Sequence, residues 1–310
     1  MKRAKKTEKK AFIIDFRILF GALFVFIAAF VFIIVLSGLT GENESRTKTE
    51  PVNGQRINLL VTGFDADGIR TDLIMVSSLE TASKKADILL IPENTRMYVG
   101  GRYQKISAAH AITQNGRQNG VGGTVEAIRR LTAIELNYYI EFSSDSFIKF
   151  TDALGGIEFD VPQTMKYSDP LQNLDIDLKN GYQRLNGKKA CDLIRFVSYK
   201  NGPEGRTALQ SEFFAEFAAQ KLNPKYIGML PGLFRDIDIN TNLTAKDAVS
   251  YANLLLSLDS SDISFHICPG HQEEQGVTYW IPDTEALKSL IRENFGCDPK
   301  NITADKPKKD

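Results

Sequence analysis

The chain has 310 residues, 25% of them charged and 43% hydrophobic, enough for a sizeable core and incompatible with a collagen-like, disordered or disulfide-dense class. Lys plus Arg equals Asp plus Glu at 38 each, so no chain-wide charge argues for nucleic-acid binding. The balance hides an asymmetry: residues 1–17 hold seven basic residues against Glu8 and Asp15, a net +5, whereas the rest holds 31 basic against 36 acidic residues, a net −5.

From Ile18 to Leu36 the chain reads ILFGALFVFIAAFVFIIVL without one charge. At about 1.5 Å per residue this run covers most of a ~30 Å hydrocarbon core, which predicts one transmembrane helix over 18–39. The basic residues before it, in a short tail at 1–17, predict a cytoplasmic N-terminus and an extracytoplasmic remainder, hence a single-pass cell-membrane protein. A secretory signal peptide is the competing reading, but its apolar region is normally only about 7 to 15 residues, and Ser37 with Gly38 makes a poor cleavage site.

Residues 40–55 are polar, carry Pro51 and Gly54, and read as a solvated linker. A single α/β domain is expected over 56–296. Within it, 57–62, 73–79 and 88–91 are short aliphatic runs expected as buried strands. Helical spacing follows at 124–131 and 146–154, the second stopped by Gly155 and Gly156, with strands at 138–142 and 157–161. Leu209, Phe213 and Phe217 recur every four residues and predict a helix with an aromatic stripe. The polar tail, 297–310, is expected to be disordered.

Cys191, Cys268 and Cys297 have no metal-binding spacing, and His110, His266 and His271 form no HExxH-like pair, which argues against zinc. Cys268 and Cys297 fall in the same C-terminal lobe and are the expected partners if one bridge forms; three reduced thiols fit the sequence equally well.

Four stretches, in order, resemble the LytR-CpsA-Psr (LCP) family of cell-envelope proteins: NLLVTGFDADGIRTDLIMVSSL from Asn58, the IPxxT segment from Ile91 leading to KISAAHA, YYIEFSSDSFIKFTDALGGIEFDVP from Tyr138, and IDLKNGYQRLNGKKACDLIRF from Ile176. The likeness extends through YWIPD to about Phe295, and the chain looks like a divergent member. It implies a central mixed β-sheet flanked by helices in one extracytoplasmic domain. It also implies a phosphotransferase that moves a phosphate-linked glycopolymer, such as teichoic acid or capsule, from a polyprenyl-pyrophosphate carrier to peptidoglycan. Such chemistry calls for a divalent cation and guanidinium donors around the phosphates, and for a greasy groove for the prenyl chain.

By this resemblance Asp65 and Asp72 hold Mg²⁺; read alone, GFDADG is an acidic turn. Arg70 matches a catalytic arginine and could contact phosphate or pair with Asp72. Arg195, Arg206 and Gln210, with Lys105 as a further candidate, match the pyrophosphate-binding set, Arg206 carrying a catalytic role as well. Arg206 and Gln210 are one helical turn apart and face the same way; solvated surface arginines are the plainer alternative. Phe147, Phe150, Phe213 and Phe217 match the lipid groove, although a stripe at this spacing is also ordinary core.

The chain departs from the family where it reads Pro92, Glu93, Asn94, Thr95 in place of P-R-D-T, so a carboxylate stands where a guanidinium is usual. Val197 and Leu209 stand at two more positions that are commonly arginine. Arg96 and Arg102 are nearby, but an odd offset on an extended segment points to the other face. Two functions follow: a transferase, or a catalytically impaired lipid- or glycopolymer-binding member. The family's older label of transcriptional attenuator or regulator finds no support, since the expected cytosolic part is some 17 residues and the folded part is net acidic. Its lysines suit anionic lipid headgroups instead, so the expected partners are membrane, carrier lipid and peptidoglycan, not nucleic acid.

Overall fold

The structure, a computed structural model, describes residues 56–64, 71–114, 117–118, 120–170, 174–199, 202–221, 239–243, 258, 262–299 and 302. The apolar run at 18–39, the linker, and Asp65 and Arg70 lie outside the described residues. Among those described, no helix is long and apolar enough to cross a membrane.

Three strands open the fold: β1 (Arg56–Phe64), β2 (Thr71–Glu80) and β3 (Lys85–Leu90), an antiparallel meander. Next come the hairpin β4 (Arg96–Val99) and β5 (Arg102–Lys105), a 3₁₀ helix Ile106–Ala111, the two-residue strands β6 (Thr113–Gln114) and β7 (Arg117–Gln118), and helix α1 (Val121–Thr132). Strand β8 (Tyr138–Ser143) pairs parallel to β1 and leads into α2 (Ser144–Ala153). Strands β9 (Ile157–Val161), β10 (Met165–Asp169), β11 (Leu174–Leu178) and β12 (Gly181–Leu185) form two small ladders, β9 with β12 and β10 with β11. Helices α3 (Gly187–Arg195) and α4 (Gly202–Lys221) follow. The chain then adds β13 (Ile239–Thr241), β14 (Ile263–Ile267), the hairpin β15 (Gly270–Glu274) and β16 (Thr278–Pro282), and α5 (Thr284–Asn294). The central sheet has the order β13-β8-β1-β2-β3-β14 and is mixed, with β8 parallel to β1 and β14 parallel to β3.

Strand alternation sorts the core into two layers. Leu59, Val61, Leu73, Met75, Ile88 and Leu90 face α2, α3 and α4, whereas Leu60, Ile74, Val76 and Leu89 face the 3₁₀ helix, α1 and α5. Both faces are covered, which is why these strands read as continuous aliphatic runs.

Local signals set the helix ends. Ser143 Oγ accepts the Ser146 amide at the start of α2, and Asn186 Oδ1 accepts the Lys189 amide at the start of α3. Gly155 and Gly156 take positive φ after α2, and a β-carbon on Gly156 would collide with the Leu185 carbonyl. Asp152, next to this turn, accepts the Gly187 amide at 2.7 Å and so ties α2 to α3.

Phe147, Phe150, Phe213 and Phe217 are buried and pack on one another between α2 and α4; Phe150 stacks on Phe217 at 6.0 Å and Phe147 lies 6.2 Å from Phe213. The cluster is closed, so a prenyl chain entering between these helices would have to part them. All three cysteines are free: the Cys268–Cys297 bridge is not formed, Cys297 Sγ instead lying 3.1 Å from the Ala133 carbonyl.

Candidate functional site

Because β1 is parallel to β8 and antiparallel to β2, while β2 is antiparallel to β3, the C-terminal ends of β1, β3 and β8 and the start of β2 lie at one edge of the sheet. Open α/β sheets bind ligands at that edge. Asp72 stands at the start of β2, and Glu93 just beyond β3. Arg195 is the last residue of α3, where a cation also suits the helix dipole, and Arg206 lies in the second turn of α4.

These side chains form one row of alternating charge. Arg195 Nε is 3.2 Å from Asp72 Oδ2, and Arg206 Nη2 is 3.5 Å from Asp72 Oδ1. Arg206 Nη1 is 3.5 Å from Glu93 Oε1, and Lys105 Nζ is 3.9 Å from the same oxygen. The two arginine side chains are only 9% and 8% exposed, while the Asp72 side chain is 30% exposed. A pocket opens beside the row, walled by Asp72, Ile91, Glu93, Arg206 and Gln210. A second, narrower recess runs from Asp72, Arg195 and Gln210 down to Phe142, Phe147 and Cys191. Charged rim and aromatic floor are therefore contiguous.

The arginines are braced. Arg206 Nε at 3.3 Å and Gln210 Nε2 at 2.9 Å both donate to the Ile194 carbonyl, which fixes the end of α3 and so the place of Arg195. Gln210 lines the pocket, but its amide nitrogen is committed to the backbone. The Pro92–Thr95 turn is equally fixed: Thr95 Oγ1 donates to the Pro92 carbonyl at 2.6 Å, Ser107 N to Glu93 O at 3.1 Å, and Trp280 N to Asn94 O at 3.0 Å. Asn94 Nδ2 donates to the Thr278 carbonyl at 3.3 Å, while its Oδ1 is buried with no hydrogen-bond partner among the described residues.

The expected site residues thus divide. Asp72, Arg195, Arg206, Gln210 and Lys105 converge; the four phenylalanines lie in the adjacent core layer; Asp65 and Arg70 are outside the described residues. Leu209 is buried in the core, one position from the face that carries Arg206 and Gln210, and Val197 sits exposed on the pocket wall. Arg96 lies over the Tyr103 ring at 3.9 Å, and Arg102 is an exposed residue of the β4–β5 hairpin. That Glu93 is held between two of the expected cations is not marked in the sequence. Nor does the sequence mark the buried pair on the opposite face of the sheet, His110 Nε2 to Glu141 Oε1 at 2.8 Å, with Asn240 donating to the other Glu141 oxygen at 2.9 Å.

An Mg²⁺ ion takes oxygen ligands. The described donors at the rim that suit it are the Asp72 and Glu93 carboxylates, and among the described residues no three His, Cys, Asp or Glu side chains come together to hold a metal ion.

Similar proteins place the chain. It is 23% identical over 262 residues, 81% of its own length and 82% of the relative's, to the polyisoprenyl-teichoic acid–peptidoglycan teichoic acid transferase TagU of Bacillus licheniformis. It is 23% identical to the corresponding transferase TagV of Bacillus subtilis over 248 residues, 76% of this chain and 62% of that one, and 28% identical to the regulatory protein MsrR of Staphylococcus aureus over 204 residues, 62% of this chain and 58% of that one. The chain thus spans about three fifths of the length of these last two relatives. Among solved structures, B. subtilis TagV superposes with a TM-score of 0.61 at 22% identity, covering 80% of this chain and 100% of that one. TagT bound to LI-WTA gives 0.60 at 22% identity over 83% and 96%. These likenesses establish the fold. The LytR_cpsA_psr family model matches residues 36–295, and on that match the chain belongs to the LytR_cpsA_psr family.

Proposed function

We propose that this protein is a membrane-anchored transferase that takes a phosphate-linked glycopolymer from a polyprenyl-pyrophosphate carrier and attaches it to peptidoglycan. The observation that carries this reading is the bracketed carboxylate: Asp72 lies between two nearly buried guanidiniums at the ligand-binding edge of the sheet, with an aromatic recess directly below. Relatives named as teichoic acid transferases support it.

In this reading the Arg195 and Arg206 guanidiniums turn from Asp72 to the pyrophosphate and stabilise the charge that builds on its oxygens. Lys105 adds a third cation from the start of the 3₁₀ helix. Gln210 acts as a positioning residue, holding the Ile194 carbonyl and hence Arg195. Asp72, with Asp65 from outside the described residues, would hold Mg²⁺, which supplies positive charge at the diphosphate. The acceptor hydroxyl oxygen bonds to the glycan-side phosphorus, the bridging P–O bond breaks, polyprenyl phosphate departs, and the hydroxyl proton passes to solvent.

The test uses full-length protein in detergent, a short-chain polyprenyl-diphosphate glycan and peptidoglycan fragments. Transfer that stops when the divalent cation is chelated supports the proposal. Saturable binding without turnover favours the second reading, a binding member with impaired chemistry, for which the specific observation is the Glu93 carboxylate engaging Arg206.

A further inference from the structure

Glu93 sits where two cations converge, with its Oε1 3.5 Å from Arg206 Nη1 and 3.9 Å from Lys105 Nζ. Its side chain is 21% exposed and lines the same pocket as Asp72 and Arg206. The main chain beneath it cannot withdraw easily. Glu93 O accepts from Ser107 N, Thr95 closes back on Pro92, and Asn94 O is held by Trp280 N. The carboxylate is therefore a built-in anion, placed against the cations a phosphate would seek.

Arg195, Arg206 and Lys105 against Asp72 and Glu93 leave this row with one net positive charge. An entering anion is attracted to the guanidiniums and repelled by Glu93, and the repulsion grows with every negative charge the headgroup brings. A diphosphate capped by a sugar is a diester with one charge per phosphate. An uncapped diphosphate ends in a terminal phosphate that carries a further, largely ionised proton site, with pKa near 6.

We infer that Glu93 is a specificity-determining residue that makes the pocket select a glycan-capped diphosphate over the bare polyprenyl diphosphate. This rests on the proposed function, since it concerns which carrier the same pocket accepts. The bare carrier has the same prenyl chain and the same two phosphorus atoms, so chain length and phosphate count alone cannot separate the two. Charge at the terminal phosphate can. An arginine at this position would do the opposite, and hold the more anionic headgroup harder.

The experiment compares binding of farnesyl diphosphate and its N-acetylglucosamine-capped diester to full-length protein by calorimetry, for wild type, Glu93→Gln and Glu93→Arg. Glu93→Gln keeps the shape and removes the charge. The wild-type preference for the capped probe is expected to fall about tenfold in Glu93→Gln and further in Glu93→Arg, one partly screened charge at this range being enough for that change. A thermal melt confirms that each variant is folded, and the ratio of two affinities within one variant cancels any loss of active protein. An unchanged ratio across all three proteins overturns the inference and leaves the function standing. Failure of the wild type to bind either probe overturns both.

Discussion

Two ion networks sit at opposite ends of the central sheet, and they are built differently. At the C-terminal end of β1 and β3, Arg195, Arg206 and Lys105 alternate with Asp72 and Glu93 along an open pocket. At the other end, Arg56 reaches Glu80 at 3.1 Å and Asp87 at 3.6 Å, donates to the Asn294 carbonyl at 2.6 Å, and His266 meets Asp87 at 3.0 Å. The second network closes on a helix-end carbonyl and fastens α5 to the sheet. The first spends its charges around a space. Ion pairs alone do not mark a functional site; a cation whose carboxylate partner lines an open pocket, as Asp72 and Glu93 do, is the sign that it has somewhere else to go.

Substitutions at the two ends should separate these roles. Arg195→Ala and Arg206→Ala are each expected to lower glycan transfer about a hundredfold or more, as removal of one charge-stabilising donor does, in a single-turnover assay. Arg56→Ala should leave transfer per folded molecule unchanged and lower stability by about 1–3 kcal/mol, read as a fall in the melting midpoint of a few degrees. Equal losses of transfer at both ends would erase the distinction.

Thiol labelling sharpens it further. Burial pushes the Cys191 thiol up to about 11 and the Cys268 thiol up to about 12, and Cys191 lies at the floor of the pocket-side recess whereas Cys268 belongs to the opposite layer. In native protein at pH 8, half-buried Cys297 should label first, Cys191 about a hundredfold more slowly than an exposed thiol, and Cys268 last. Ligand should protect Cys191 alone. In unreduced, unfolded protein three labelled thiols are expected; one labelled thiol would mean that the Cys268–Cys297 bridge exists after all.

The smallest effect concerns Asp192, which neighbours Arg195 on α3. Burial raises its carboxyl above the ordinary value, with Lys188 at 2.5 Å pulling the other way. A group whose folded pKa exceeds its unfolded one holds its proton more tightly in the fold. Stability from it is therefore complete below the unfolded value and declines as pH rises through the folded one. Asp192→Asn should flatten that part of the melting-midpoint curve above pH 4 and leave the neutral-pH transfer rate alone.

Much of the fold was legible in the sequence because it rests on local signals. The aliphatic runs at β1 to β3, the glycine pair after α2 and the four-residue spacing of Leu209, Phe213 and Phe217 each state their element without reference to the rest of the chain. Helix α1 begins three residues before the expected start because Val121 through Gly123 carry no apolar period of their own and are recruited by the turn at Gly120. The site was legible in part. Arg195, Arg206 and Asp72 stood out by type and order, but their convergence depends on pairings between residues more than a hundred positions apart. Gln210 was expected on phosphate and is found on the Ile194 carbonyl, a difference only the packing of α3 on α4 decides. Glu93 read as a lost charge, since sequence shows the substitution and not the two cations that close around it. His110 and Glu141 lie 31 residues apart on different elements, and no spacing rule joins them.

The clamp between the Asn94 turn and the β15–β16 hairpin has a consequence for biogenesis. Thr278 and Trp280 grip a segment some 184 positions earlier in the chain, so the wall that carries Glu93 has only its local bonds to Ser107 and within the Pro92–Thr95 turn until translation has passed Pro282. A nascent chain therefore owns every residue of the arginine row well before it owns a finished cleft, and a truncation just short of the tryptophan should yield a protein with the right side chains and a slack rim.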